Sequence, residues 1–199
     1  IKSKLIVADV KDILDYKFIV PGVHQRENLS CAVEVAKQFH IPESNIKKAV
    51  KNFKGLEGRL QFLRIYNGVK IYNDNNATTP EATSAALKAL GGNSKNIILI
   101  MGGSDKNLDF NNLIKDIKKY TKSVVLIPGS GTDRILGSLK KTGVMLYEKK
   151  DLKEIVAQHK EISKSGDILL FSPAFASFGM FNNEYERNDL FMKIIKGLK

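Results

Sequence analysis

Four short polar residues, Asn73-Asp74-Asn75-Asn76, stand in "YNDNNATTPEAT" (72–83), between a strand-like "GVKIY" and a helix-like "EATSAALKAL". Such side chains are weak formers of either element, so local stability does not select them. Thr79 is a good helix N-cap and Pro80 suits the first helical position. Capping leaves Asp74, Asn75 and Asn76 in need of another partner. A second stretch, "IMGGSDKNLDF" (100–110), follows an apolar run. Gly102 and Gly103 let the backbone turn sharply or approach a ligand, and Lys106 follows in a polar loop before a helix capped by Asp109. The third is "FSPAFASFGMFNNEYERNDLF" (171–191). Its small residues Ser172, Ala174, Ala176, Ser177 and Gly179 line a loop too apolar for a solvated turn.

Other chemistries find no motif. There is no G-x-x-x-x-G-K-[ST] and no Gly-Lys pair anywhere, hence no Walker phosphate cradle. "PGSGTDR" (128–134) lacks the lysine and the dinucleotide fingerprint, and reads as a turn into a helix. His24, His40 and His159 are far apart and make no H-x-x-x-H pair. His40 is expected to end a helix and His159 to lie on an exposed helix face. The single cysteine, Cys31, cannot form an internal disulfide, which fits a reducing, cytoplasmic setting. Within "NLSCAVEVAKQF" it reads as a small buried hydrophobe.

The elements that must position these residues follow from periodicity. Residues 1–56 hold two short strand-like segments, "KLIVA" and "KFIV", then two helices. The first helix covers about 26–39, with Leu29, Ala32, Val33 and Ala36 on one face. The second follows "IPES", with Ser44 as N-cap and Ile46, Ala49, Val50 and Phe53 inward. "KGLEGRL", with Gly55 and Gly58, is the candidate hinge. Beyond it strands read at "LQFLRI", "VKIYN", "NIILIM", "SVVLI", "VMLY" and "DILLF", and helices at about 80–91, 110–120, 131–140, 151–163 and 184–197. On the 80–91 helix, Ala82, Ala85, Ala86, Ala89 and Leu90 form the expected buried face. Continuously apolar central strands alternating with helices predict a doubly wound α/β domain, whose ligands bind at the carboxyl ends of the strands.

A hydrophobic content of 43% is enough for a core, and no apolar run approaches the roughly 20 residues of a membrane span. The net charge of +11 raises nucleic acid as a partner. Its lysines are scattered over polar helix faces and turns, without an arginine-rich block or interleaved aromatic residues. They read as solvated faces, so neither nucleic acid nor membrane is expected.

Five stretches, in order, resemble the C-terminal part of the Mur ligase family. "VPGVHQRENLSCAVEVAKQFHI" is similar to the segment that closes the family's central domain, and "FKGLEGRLQ" to its hinge. "NDNNATTPEAT" resembles its Asp-Ser-Lys-Ala-Thr-Asn loop, "GGSDKNLDF" its Gly-Gly-x-x-Lys loop and "SPAFASFGMF" its Ser-Pro-x-x-Ala-Ser loop. The resemblance is strongest to members that add D-glutamate to UDP-N-acetylmuramoyl-L-alanine, using ATP and Mg²⁺ through an acyl phosphate, in peptidoglycan precursor synthesis. It implies a Rossmann-like C-terminal domain at 57–199, preceded at 1–56 by the end of a central ATP-binding domain. Asn28, Arg59 and Asp74 would face the nucleotide; Thr78, Lys106 and Ser177 would hold the incoming amino acid. On this reading the chain is a monomeric C-terminal piece that does not turn over alone. The main phosphate and metal ligands, with the N-terminal and remaining central domains, would lie outside it.

Several positions depart from the family pattern. Its loop lysine falls on Asn76, its hinge His-Arg is Gly58-Arg59, its central His-Asn is His24-Gln25, and the Asp after its serine loop is Gly179. The aromatic residue seven positions after the serine is Glu184. A related amide ligase for another amino acid, or a non-catalytic binding module, therefore stand as alternatives.

Overall fold

The computed structural model describes residue 3 and residues 5–198. They form two compact units, one up to Gly55 and one from Leu56.

In the first unit a 3-10 turn (Val10–Ile13) is opened by Asp9, whose carboxylate accepts the Lys11 N–H at 2.9 Å. Helices α1 (Val23–Gln38) and α2 (Glu43–Asn52) follow, and Ile13, Tyr16, Val33, Ile46 and Val50 form the core. Four expectations are corrected here. "KFIV" and residues 5–8 of "KLIVA" are not strands, because no described segment of this unit offers them a ladder to join (Lys4 lies outside the described residues). Cys31 is exposed: the inward stripe runs Leu29–Val33–Ala36, which turns Cys31, Ala32 and Val35 outward. Ser44 is not the N-cap of α2. Pro42 caps that helix two residues earlier, its carbonyl accepting from the N–H groups of Asn45 (2.9 Å) and Ile46 (3.2 Å). Ala49 and Phe53 are exposed, although Phe53 stacks on Phe18 at 6.1 Å.

The second unit opens with a hairpin, β1 (Gln61–Tyr66) and β2 (Val69–Asn73). Both residues of its turn, Asn67 and Gly68, have positive φ, as a tight primed turn requires. Then come α3 (Pro80–Leu90), β3 (Ile97–Gly102), α4 (Asn111–Tyr120), β4 (Thr121–Ile127), α5 (Ser130–Lys140), β5 (Met145–Glu148), α6 (Leu152–Ile162), β6 (Ile168–Phe171) and α7 (Glu184–Lys196). The six strands form one sheet in the order β1-β2-β6-β3-β4-β5, parallel except for β1.

Period-2 alternation builds both layers. Ile97, Leu99, Met101, Ile168 and Leu170 pack with α3, α4 and α5, through Leu87, Leu113, Ile117, Ile135 and Leu139. Ile98, Ile100, Leu169 and Phe171 pack on the other face with Ile155 and Val156 of α6 and Phe191 and Ile195 of α7. The doubly wound, Rossmann-like expectation holds, with every expected strand and helix of this unit present to within a residue or two.

Three local expectations change. The buried face of α3 runs through Thr83, Ser84, Ala86 and Leu87, with Ala82, Ala85, Ala89 and Leu90 half-buried. Its two hydroxyls tolerate burial because Thr83 donates to the Ser172 carbonyl and Ser84 to the Asp116 carboxylate. Asp109 stands one residue ahead of the α4 N-cap position, which Phe110 fills, and accepts from the Asn111 N–H at 3.3 Å. His159 is fully buried, because Leu152, Ile155, Val156 and His159 make one helical stripe against the sheet. Its Nδ1 bonds the Val156 carbonyl, and burial holds its pKa below the ordinary value.

Candidate functional site

Strands β2, β6 and β3 are adjacent in the sheet, and the three chemistry-bearing stretches are the loops at their carboxyl ends. Backbone bonds knit them together. The Ala174 N–H donates to the Ala77 carbonyl at 2.9 Å and the Gly102 N–H to the Pro173 carbonyl at 2.8 Å. Ser104 and Ala176 exchange a reciprocal pair at 2.9 and 3.1 Å. Gly103, at φ +134, is glycine because a Cβ there would run into the Ala176 carbonyl. Its close approach is therefore to the third loop.

The four polar residues that end β2 and follow it find their partners inside the protein. Asn73 donates from Nδ2 to Asn188 Oδ1 at 2.8 Å, and Asn188 donates onward to Glu57 Oε1 at 2.6 Å. Asp74, 7% exposed, accepts from the Leu60 N–H and from the Ser172 hydroxyl, each at 2.9 Å. Burial pushes its carboxyl up to about 7, against the opposing effects of those two donors and the Arg59 charge. Asn75 donates to the Glu184 carbonyl at 2.9 Å. It also accepts, through its side-chain oxygen and its carbonyl, from Arg187 Nε and Nη2, both at 2.8 Å. Asn76 donates from its backbone to the Gly58 carbonyl (3.0 Å) and from its amide to the Glu57 carbonyl (3.3 Å).

Arg187 is the largest fully buried side chain among the described residues. A third donor, Nη1, reaches the Phe175 carbonyl at 3.4 Å, so one guanidinium spans the first and third loops. Burial pushes its pKa down to about 10, with Glu184 opposing. The motifs do not reveal it. The available signal is its helical spacing from Phe191 and Ile195, both buried on the same face of α7.

The six anticipated site residues separate clearly. Lys106 Nζ donates to Thr78 Oγ1 at 3.1 Å, which joins the second loop to the first. Ser177, 5% exposed, follows the Ala176 that pairs with Ser104, two residues before Lys106. Arg59 is exposed beside the buried Asp74, and Asn28 is exposed on α1 of the other unit. An ammonium beside a hydroxyl at strand carboxyl ends suits a carboxylate. Among the described residues no three His, Cys, Asp or Glu side chains converge as metal ligands.

A family model for "Mur ligase, glutamate ligase domain" matches residues 58–175. The UDP-N-acetylmuramoylalanine–D-glutamate ligase of Borreliella afzelii is 42% identical over 161 residues, which cover 81% of the chain and 36% of that protein. The enzyme of the same name from Caldicellulosiruptor saccharolyticus is 41% identical over 180 residues, 90% of the chain and 39% of that protein. The chain thus spans well under half the length of these curated relatives. Among solved structures, UDP-N-acetylmuramate–alanine ligase from Thermotoga maritima matches 90% of the chain, and 39% of its own, with a TM-score of 0.67 at 19% identity. Folylpolyglutamate synthase of Mycobacterium tuberculosis, complexed with ADP, matches 93% and 43% with a TM-score of 0.65 at 12% identity; both share the fold. With that model covering most of the second unit, the chain belongs to the Mur ligase family.

Proposed function

We propose that this chain supplies the amino-acid-binding part of an ATP-dependent ligase that joins D-glutamate to UDP-N-acetylmuramoyl-L-alanine. The observation that carries the reading is the Lys106–Thr78 hydrogen bond of 3.1 Å, which unites two of the three family loops around one cation. Relatives bearing the D-glutamate ligase name, at 37–42% identity, support the choice of substrate. Lys106 and Thr78 receive a carboxylate of D-glutamate, and the Ser177 loop closes the site beside them. Arg59, exposed and cationic, faces the nucleotide's phosphates. Asp74 holds the adjoining Leu60 N–H and lies toward the ribose. Bound ATP would supply the phosphoryl group that converts the alanyl carboxylate into an acyl phosphate, which the D-glutamate amine attacks with release of phosphate. This chain's residues orient that amine and offset the negative charge of the amino acid.

The test is phosphate release by the full-length protein with UDP-N-acetylmuramoyl-L-alanine and a panel of amino acids. Preference for D-glutamate, with its KM raised about tenfold or more by Lys106→Ala, is the expected result. A second reading, a related ligase for a different amino acid, is favoured by Glu184. That acid is half-buried on the first turn of α7, with its carbonyl held by Asn75 at 2.9 Å. Preference for another amino acid selects it.

A further inference from the structure

The segment 103–110, between β3 and α4, carries Lys106 but has no helix or strand of its own, and Asn107 within it sits at φ 56. It is gripped from α5. Arg134 Nη1 donates to Asp105 Oδ1 at 2.9 Å and to the Leu108 carbonyl at 3.0 Å, and its guanidinium lies over the Phe110 ring at 4.9 Å. The Asp105 N–H donates to the Ser130 hydroxyl at 3.1 Å, while Asp105 Oδ1 also accepts the Asn107 N–H at 2.9 Å. One planar cation therefore holds the loop on both sides of Lys106.

We infer that Arg134 is a positioning residue for the amino-acid site: it fixes the 105–108 backbone so that the Lys106 ammonium is presented at Thr78, and it keeps the Asp105 carboxylate occupied. The inference rests on the reading of Lys106 as the group that receives the amino acid's carboxylate. Its second half is electrostatic. Asp105 adjoins Lys106 in sequence, and a carboxylate released by Arg134 becomes a counter-ion for that lysine, competing with the substrate for the same charge. A lysine at position 134 would keep the charge but lacks the planar guanidinium that lies over the Phe110 ring while its Nη1 bonds the loop.

The experiment uses the full-length protein. Arg134→Gln is expected to raise the KM for the amino acid about tenfold, with kcat and the KM for ATP within about twofold. Arg134→Lys should recover only part of the loss, and adding Asp105→Asn to Arg134→Gln should recover part of it by removing the competing carboxylate. In a Lys106→Ala background, Arg134→Gln should add nothing. An unchanged amino-acid KM, or losses that simply add, would overturn the assignment. The backbone half is read without turnover: amide exchange at Asn107 should run about tenfold faster in Arg134→Gln. An unchanged exchange rate overturns the clamp. A parent protein inert toward every amino acid removes the ligase reading, while the exchange measurement still decides whether Arg134 holds the loop.

Discussion

The loop after β2 and the loop after β3 follow the two strands that flank β6 in one mostly parallel sheet, yet they are secured in opposite ways. The first is buried and tied from several directions: Asp74 to Leu60 and Ser172, Asn75 to Arg187, Asn73 to Asn188. The second is open to solvent around Lys106 and is held chiefly by Arg134 and Ser130. Polar residues in the first loop are part of the fold itself, since a buried donor or acceptor without a partner is costly. Those in the second leave the ammonium accessible. The contrast sets a floor of buried, fully tied polar groups beside an accessible ammonium.

The comparison can be broken most readily at Arg187. Arg187→Ala removes a fully buried side chain and leaves both Asn75 acceptors unpaired, so a stability loss of about 3–5 kcal/mol is expected in urea denaturation. A loss below about 1 kcal/mol would mean that the first loop is not anchored as described.

Asp74 sharpens the same contrast through pH. Its carboxyl is raised from 3.8 to about 7, so the folded state holds the proton more tightly than the unfolded chain does. Its stabilising contribution is full below about pH 4 and is lost as pH rises to about 7, by roughly 4 kcal/mol. Asp74→Asn does not titrate, so its stability relative to the parent should improve by that amount between pH 4 and 8. A difference that stays constant with pH would place the group in a wetter environment. The smallest effect belongs to the second loop: Lys106→Ala should leave the unfolding free energy within about 0.5 kcal/mol of the parent.

Most of the sheet is legible in the sequence because its strands are buried on both faces and read as apolar runs between helical periods. Loop positions are legible through Gly102, Gly103, Pro80 and Thr79, whose types report backbone needs directly. The inward histidine on α6 and the buried arginine on α7 are hidden by their chemistry. A titratable residue in a charged sequence reads as surface, and only a partner distant in the chain reverses that. Asn75 lies 112 positions from Arg187, too far for any local pattern. The first unit shows the complementary limit. "KFIV" has the composition of a strand, but composition provides no ladder to pair with.

The place of β6 has a consequence in time. It is the last of this sheet's six strands in chain order, yet it lies between β2 and β3 and bonds to both. During synthesis the β1–β2 hairpin and the β3-β4-β5 group have no shared edge until residues 168–171 arrive. Between the completion of β3 and the arrival of β6 a nascent chain therefore carries two apolar, unpaired edges, the kind of surface that chaperones shield. The three loops become neighbours in a single late event, so this protein acquires its sheet and its site together.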